Sequence, residues 1–199
     1  MMRSVLLGAS RNPLLNRFMA AKGLQLGAAR FVAGETLDDF MRIVRSLNAA
    51  GFTVAAAILG EGVLDRAQAR AVVDEYTALL RRLAAEGARG NVALKLTHLG
   101  LGIDESFALA NLRELVEEAG RLGNFVRVDM EEAIYVDATL RIFRALRAEG
   151  HTNLGTVLQA YLYRTPGDLD ALSSLRPNLR LVKGAYLEPP AIAHPRKAD

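Results

Sequence analysis

Residues 91–130 read "NVALKLTHLGLGIDESFALANLRELVEEAGRLGNFVRVDM" and hold one complete strand–helix–strand unit. The apolar run 91–97 has the length and content of a buried strand. Asp104 then caps an amphipathic helix running to about Gly123, and "FVRVDM" (125–130) is the next strand. Continuous apolar strands joined by helices mean parallel pairing with both faces covered. Lys95 lies between Leu94 and Leu96, so it points away from both. Asp129 follows Val128 at the corresponding end of the next strand.

The same grammar extends in both directions. Residues 4 to about 28 read as helical, with Leu6, Leu7, Leu14, Leu15, Phe18 and Met19 in an apolar stripe. "RFVAGE" (30–35) reads as a short strand, and Thr36-Leu37-Asp38-Asp39 as a capping box opening a helix to about Ala50. "GFTVAAAILG" (51–60) is a further strand, and Asp65 caps a helix ending near Gly87. After 130 come a helix from about Tyr135 to Glu149, the strand "LGTVLQAY" (154–161), a helix with Thr165 as N-cap and Pro166 first, and the strand of "LRLVKGAYLEPP" (179–190).

Strand and helix thus alternate six times, at roughly 25 to 35 residues per unit. An open doubly wound sheet and a closed barrel both fit that pattern. No G-x-G-x-x-G follows the first strand, which counts against a dinucleotide-binding sheet. Glu61, Lys95, Asp129, Gln159 and Lys183 all end strands, and a barrel mouth gathers such residues at its C-terminal face. The expected fold is α/β, a TIM-like (βα)8 barrel, with residues 1–199 as a single domain. A whole barrel needs eight units and about 250 residues; the C-terminal units are expected to be missing, leaving the first and sixth strands as open edges.

Composition sets further bounds. The chain has 199 residues, 51% hydrophobic and 24% charged, with no cysteine. Neither a disulfide framework nor a thiolate metal site can form, and a cytoplasmic protein fits best. The net charge of +3 is spread over mixed helical faces such as "RELVEEAGR", so no nucleic-acid surface is expected. "SVLLGA" (4–9) is too short for a spanning helix or a secretory core. His98, His151 and His194 are scattered without metal-ligand spacing; surface positions are expected for all three, and no metal site.

The chemistry is expected at the strand ends. A lysine on one strand beside an aspartate on the next makes Lys95–Asp129 an expected ion pair. Two chemistries would use this rim. Lys95 or Lys183 could form a Schiff base, as in a class I aldolase. Alternatively, the cations could face an electron-rich cofactor or a substrate carboxylate, with Arg180 suited to an anionic ring. A non-catalytic barrel remnant is a third reading.

"RFVAGET", "LGE" (59–61), "LKLTHLGL", "VRVDMEE", "TVLQAYLYRT" and "LRLVKGAYLEP" resemble, in order and spacing, the bacterial monofunctional proline dehydrogenases. The catalytic domain of the bifunctional proline utilization A enzymes is similar. The resemblance implies a distorted barrel binding FAD, which oxidises L-proline to Δ1-pyrroline-5-carboxylate by hydride transfer to flavin N5. Electrons then pass to a quinone, with peripheral contact at the inner membrane. It assigns the proline carboxylate to Lys95, orientation of lysine and substrate to Asp129, and the proline ring to Tyr186. Met130, Gln159, Arg180, Lys183, Gly184 and Ala185 fall to the flavin, with Arg180 beside its N5.

Two departures stand out. Ala57 occupies a position where the family has an aspartate, which is expected to loosen the polar network under Lys95. Glu61, the family's gate residue, is expected to lack its arginine partner, and the 199 residues alone are expected not to turn over proline.

Overall fold

The computed structural model describes residues 32–195, and the expected helix at 4–28 lies outside them. The chain divides into two compact units, 1–51 and 52–199. In the first, helix α1 (Leu37–Ala49) is capped by Thr36, whose Oγ1 accepts from Asp39 N at 3.2 Å and donates to the Asp39 carboxylate at 2.7 Å. The expected strand 30–35 is not seen: Arg30 and Phe31 lie outside the described residues, and Val32–Gly34 carry no strand. Glu35 and Thr36 are already the bend leading into the capped helix.

The second unit is a five-stranded parallel sheet alternating with helices. Its elements are β1 (Val54–Ala56), α2 (Arg66–Ala85), β2 (Gly90–Leu94), α3 (Glu105–Arg121), β3 (Val126–Val128), α4 (Ala133–Ala148), β4 (Leu154–Gln159), α5 (Thr165–Ser173) and β5 (Asn178–Val182). The strands lie side by side in sequence order, as in one arc of a (βα)8 barrel. Val92, Leu94, Val126, Val128, Leu154 and Leu158 are buried, as are the helix faces carrying Val73, Leu80, Leu112, Leu115, Leu140 and Phe143. Spacings of three and four along each helix produce those faces.

Local chemistry sets the helix starts. Asp65 accepts from Gln68 N at 2.8 Å and Asp104 from Phe107 N at 2.7 Å, as their sequence positions imply. Two starts differ from expectation. Helix α4 begins at Ala133, before Tyr135, because Glu188 reaches across to accept from Ala133 N at 2.7 Å. Thr165 does not cap α5; its hydroxyl donates to Gln159 O at 2.6 Å, and Arg164 takes the cap position.

Mixed charge along the helices resolves into ion pairs between neighbours. Arg70–Glu114 joins α2 to α3, and Arg113–Glu149 and Arg141–Glu105 join α3 to α4. These pairs are exposed, so each contributes at most about 1 kcal/mol.

Strand β1 is only three residues long, far shorter than the run 51–60 suggests, and a buried tyrosine explains it. With Val54 opposite Gly90, the ladder would next bring Ile58 N to Ala93 O. The Tyr76 hydroxyl occupies that rung instead, accepting from Ile58 N at 3.1 Å and donating to Ala93 O at 3.0 Å. Burial pushes the phenol up to about 12, so it stays a donor. Tyr76→Phe is expected to lower the unfolding free energy by about 1–3 kcal/mol, because both backbone groups lose their partner. Urea unfolding measures it; a loss below about 0.5 kcal/mol would mean that the strands close the rung unaided.

Candidate functional site

Register aligns the strand ends on the inner face. Leu94 pairs with Val128, Val128 with Thr156, and Val157 with Arg180. Asp129 N bonds to Leu94 O at 2.8 Å, which carries the β2–β3 ladder one residue further. Lys95, Asp129, Val157 and Arg180 therefore stand at one level, pointing away from the helices.

Lys95 and Asp129 are neighbours on this level, yet they do not form the expected ion pair. Lys95 Nζ bonds to Glu61 Oε2 at 2.7 Å, and Asp129 pairs with Arg180 instead. Glu61 comes from the loop after β1, which diverges once Tyr76 has split the ladder. Its carboxylate also accepts from the Tyr186 hydroxyl at 3.3 Å, so Glu61 is not partnerless. Lys95 holds it below the ordinary carboxylate range, while burial and the same carboxylate push the Tyr186 phenol up. Burial raises the Asp129 carboxyl, with Arg180 and then Lys95 acting in the opposite sense. Ala57 sits exposed just past β1.

The sign for Glu61 follows from its lowered value. Its ionised form contributes stability above the ordinary carboxylate pKa, and that contribution is lost as pH falls through the lower folded value. The side chain is 53% exposed, so solvent screens most of the effect. Glu61→Gln is expected to cost less than about 1 kcal/mol at pH 7, and the difference should shrink at a more acidic pH, as the folded carboxylate takes up its proton. Paired urea titrations at the two pH values check this.

Met130 and Gln159 are buried, and Gln159 Nε2 donates to Glu131 O at 2.9 Å. Lys183 and Ala185 are exposed. Gly184 has φ +109°, and a Cβ there would lie 2.1 Å from Tyr161 Cδ1, so only glycine lets the chain turn against that ring. The turn is tied down by Tyr161 N to Lys183 O at 2.9 Å and by the Tyr161 hydroxyl to Tyr186 O at 3.2 Å. Arg180 Nε is buried and without a hydrogen-bond partner.

The sequence reading misplaced His98 and missed Thr97 and Glu131. His98 is buried, against the expectation of a surface position, and lies beside Gly60, where a Cβ would come within 2.3 Å of its Nε2. Thr97 and Glu131 are buried and bonded to each other. The "DMEE" acids immediately after a strand were the available signal for Glu131. Among the described residues no three His, Cys, Asp or Glu side chains cluster as metal ligands. An open depression of about 800 Å³ lies at the opposite strand ends, around Thr53, Arg89, Asn91 and Phe125, away from this rim.

The sequence model of the proline dehydrogenase family matches residues 40–193. The chain belongs to the proline dehydrogenase family. Proline dehydrogenase 1 of Bacillus subtilis is 40% identical over 99% of this chain, and proline dehydrogenase of Deinococcus radiodurans is 39% identical over 99%. The chain spans 65% and 64% of those relatives' lengths. A solved structure of proline utilization A (PutA) from Bdellovibrio bacteriovorus, inactivated by N-propargylglycine, superposes with a TM-score of 0.76 at 26% identity. That match covers 86% of this chain and 22% of the other. The barrel assignment agrees with that likeness, and membership of the family sets aside the aldolase reading.

Proposed function

We propose that residues 1–199 belong to the single catalytic barrel domain of an FAD-dependent proline dehydrogenase. It oxidises L-proline to Δ1-pyrroline-5-carboxylate and passes the electrons to a quinone. The observation that best supports this is the level of Lys95, Asp129 and Arg180 in a member of that family.

Lys95 offers an ammonium to the proline carboxylate, held in place by Glu61 at 2.7 Å. Asp129 faces the same space, where it fixes Arg180 and orients the substrate. Tyr186, half-buried above Glu61, packs against the proline ring. A bound FAD would supply a hydride acceptor for the oxidation at proline C5. The donor set fits such a ring: Arg180 is fixed by Asp129 and keeps an unpartnered Nε–H, which suits a group that gains negative charge. Met130, Gln159, Arg180, Lys183, Gly184 and Ala185 are the residues that would hold it, Lys183 being exposed at the strand mouth. Use of a membrane quinone implies a cytoplasmic protein with peripheral contact at the inner membrane. Among the described residues no helix is long and apolar enough to cross a membrane.

Protein expressed from the complete native gene should carry a flavin absorption band that bleaches when L-proline is added without oxygen. A colourless protein, or a band that proline leaves unchanged, would overturn the reading.

A further inference from the structure

The loop that carries Glu61 has no regular structure, yet its carboxylate must meet Lys95. What holds it is a buried polar relay that starts 70 residues away in sequence, just past β3. Glu131, 3% exposed, accepts from Thr97 N at 3.0 Å and from the Thr97 hydroxyl. A hydroxyl has one hydrogen, and here it is committed to the carboxylate. The Thr97 oxygen is therefore left as an acceptor, and Gly62 N donates to it at 2.9 Å. The next rung repeats the contact, with Val63 N bonded to Thr97 O at 3.0 Å. Gly62 is the residue immediately after Glu61.

We infer that Glu131, acting through Thr97, is the positioning residue that sets Glu61 against Lys95. The stretch 129–131 then serves both sides of the rim. Asp129 fixes Arg180 on β5, and Glu131 fixes the loop after β1. Glu131 also receives Gln159 Nε2 on its carbonyl, so its backbone is itself held from β4. Thr97 is 2% exposed, so its hydroxyl bonds within the protein. The consequence for substrate affinity rests on the proline reading above; the consequence for the loop does not.

The test uses the protein from the complete native gene and the variants Thr97→Val, Thr97→Ser and Glu131→Gln. Amide hydrogen exchange is followed at Gly62 and Val63, with the core helix α4 as reference. In Thr97→Val, exchange at Gly62 should rise on the order of tenfold while α4 is unchanged, and Thr97→Ser should restore it. Glu131→Gln should give a smaller rise at the same site, because an amide can still partner Thr97 with the donor direction reversed. The KM for L-proline should rise on the order of fivefold in Thr97→Val with kcat little changed, and serine should again rescue it. Unchanged exchange at Gly62, or a rise shared equally by α4, would overturn the proposal. If Thr97→Val does not fold, Glu131→Gln decides alone by the same site-specific criterion. If the unmodified protein does not oxidise proline, the functional reading fails, while the exchange result still decides the positioning role.

Discussion

Arg180→Met is expected to lower the rate of proline oxidation by about 10²–10³-fold. Two losses add in this variant. The site loses a fixed cation with a buried, unpartnered Nε–H, and methionine keeps the length but offers no donor. Asp129 also loses its partner on the inner level. Burial already raises that carboxyl, and without Arg180 it rises further, so a larger fraction is neutral at a given pH. Arg180→Lys should fall between, because an ammonium cannot reproduce the guanidinium fork. Steady-state kinetics with L-proline measure the loss. If the two residues act as a unit, Asp129→Asn should cost far less in the Arg180→Met background than in the unmodified protein. Activity within about threefold of the unmodified protein would remove Arg180 from the mechanism.

Phe143→Ala is expected to cost about 3–5 kcal/mol of stability, the largest effect foreseen for a residue away from the rim. Phe143 is fully buried in α4, in the face that includes Val136, Leu140 and Leu146. Helix α4 packs against β4 and α3, so the cavity would open beneath the strand that carries Gln159. The melting temperature should fall by roughly 10 °C. Thermal unfolding followed by circular dichroism tests this, and a cost below about 1 kcal/mol would mean that neighbouring side chains collapse into the space.

Periodicity and caps made most of the barrel arc readable. Asp65 and Asp104 announce helices because their bonds close within three residues, and the strands of 90–94, 126–128 and 154–159 are buried runs with few alternatives. The parity of Lys95 against Leu94 and Leu96 was readable in the same way, and the register puts Asp129 beside it. What could not be read was which charge takes which partner. Glu61 reaches Lys95 because Tyr76 ends β1 early and Thr97 holds the loop, and both arise from contacts distant in sequence. Distance hides the start of α4 in the same way, since its cap arrives from Glu188. Thr165 looked like a cap until Gln159 O supplied a nearer acceptor for its hydroxyl.

The most direct test is product formation by protein from the complete native gene, supplied with L-proline and a soluble quinone. The cyclic imine is trapped with o-aminobenzaldehyde while quinone reduction is followed. One imine per quinone reduced, with both lost in Arg180→Met, is the predicted result. A flavin-loaded protein that reduces quinone without forming the imine, or forms neither, would contradict the account.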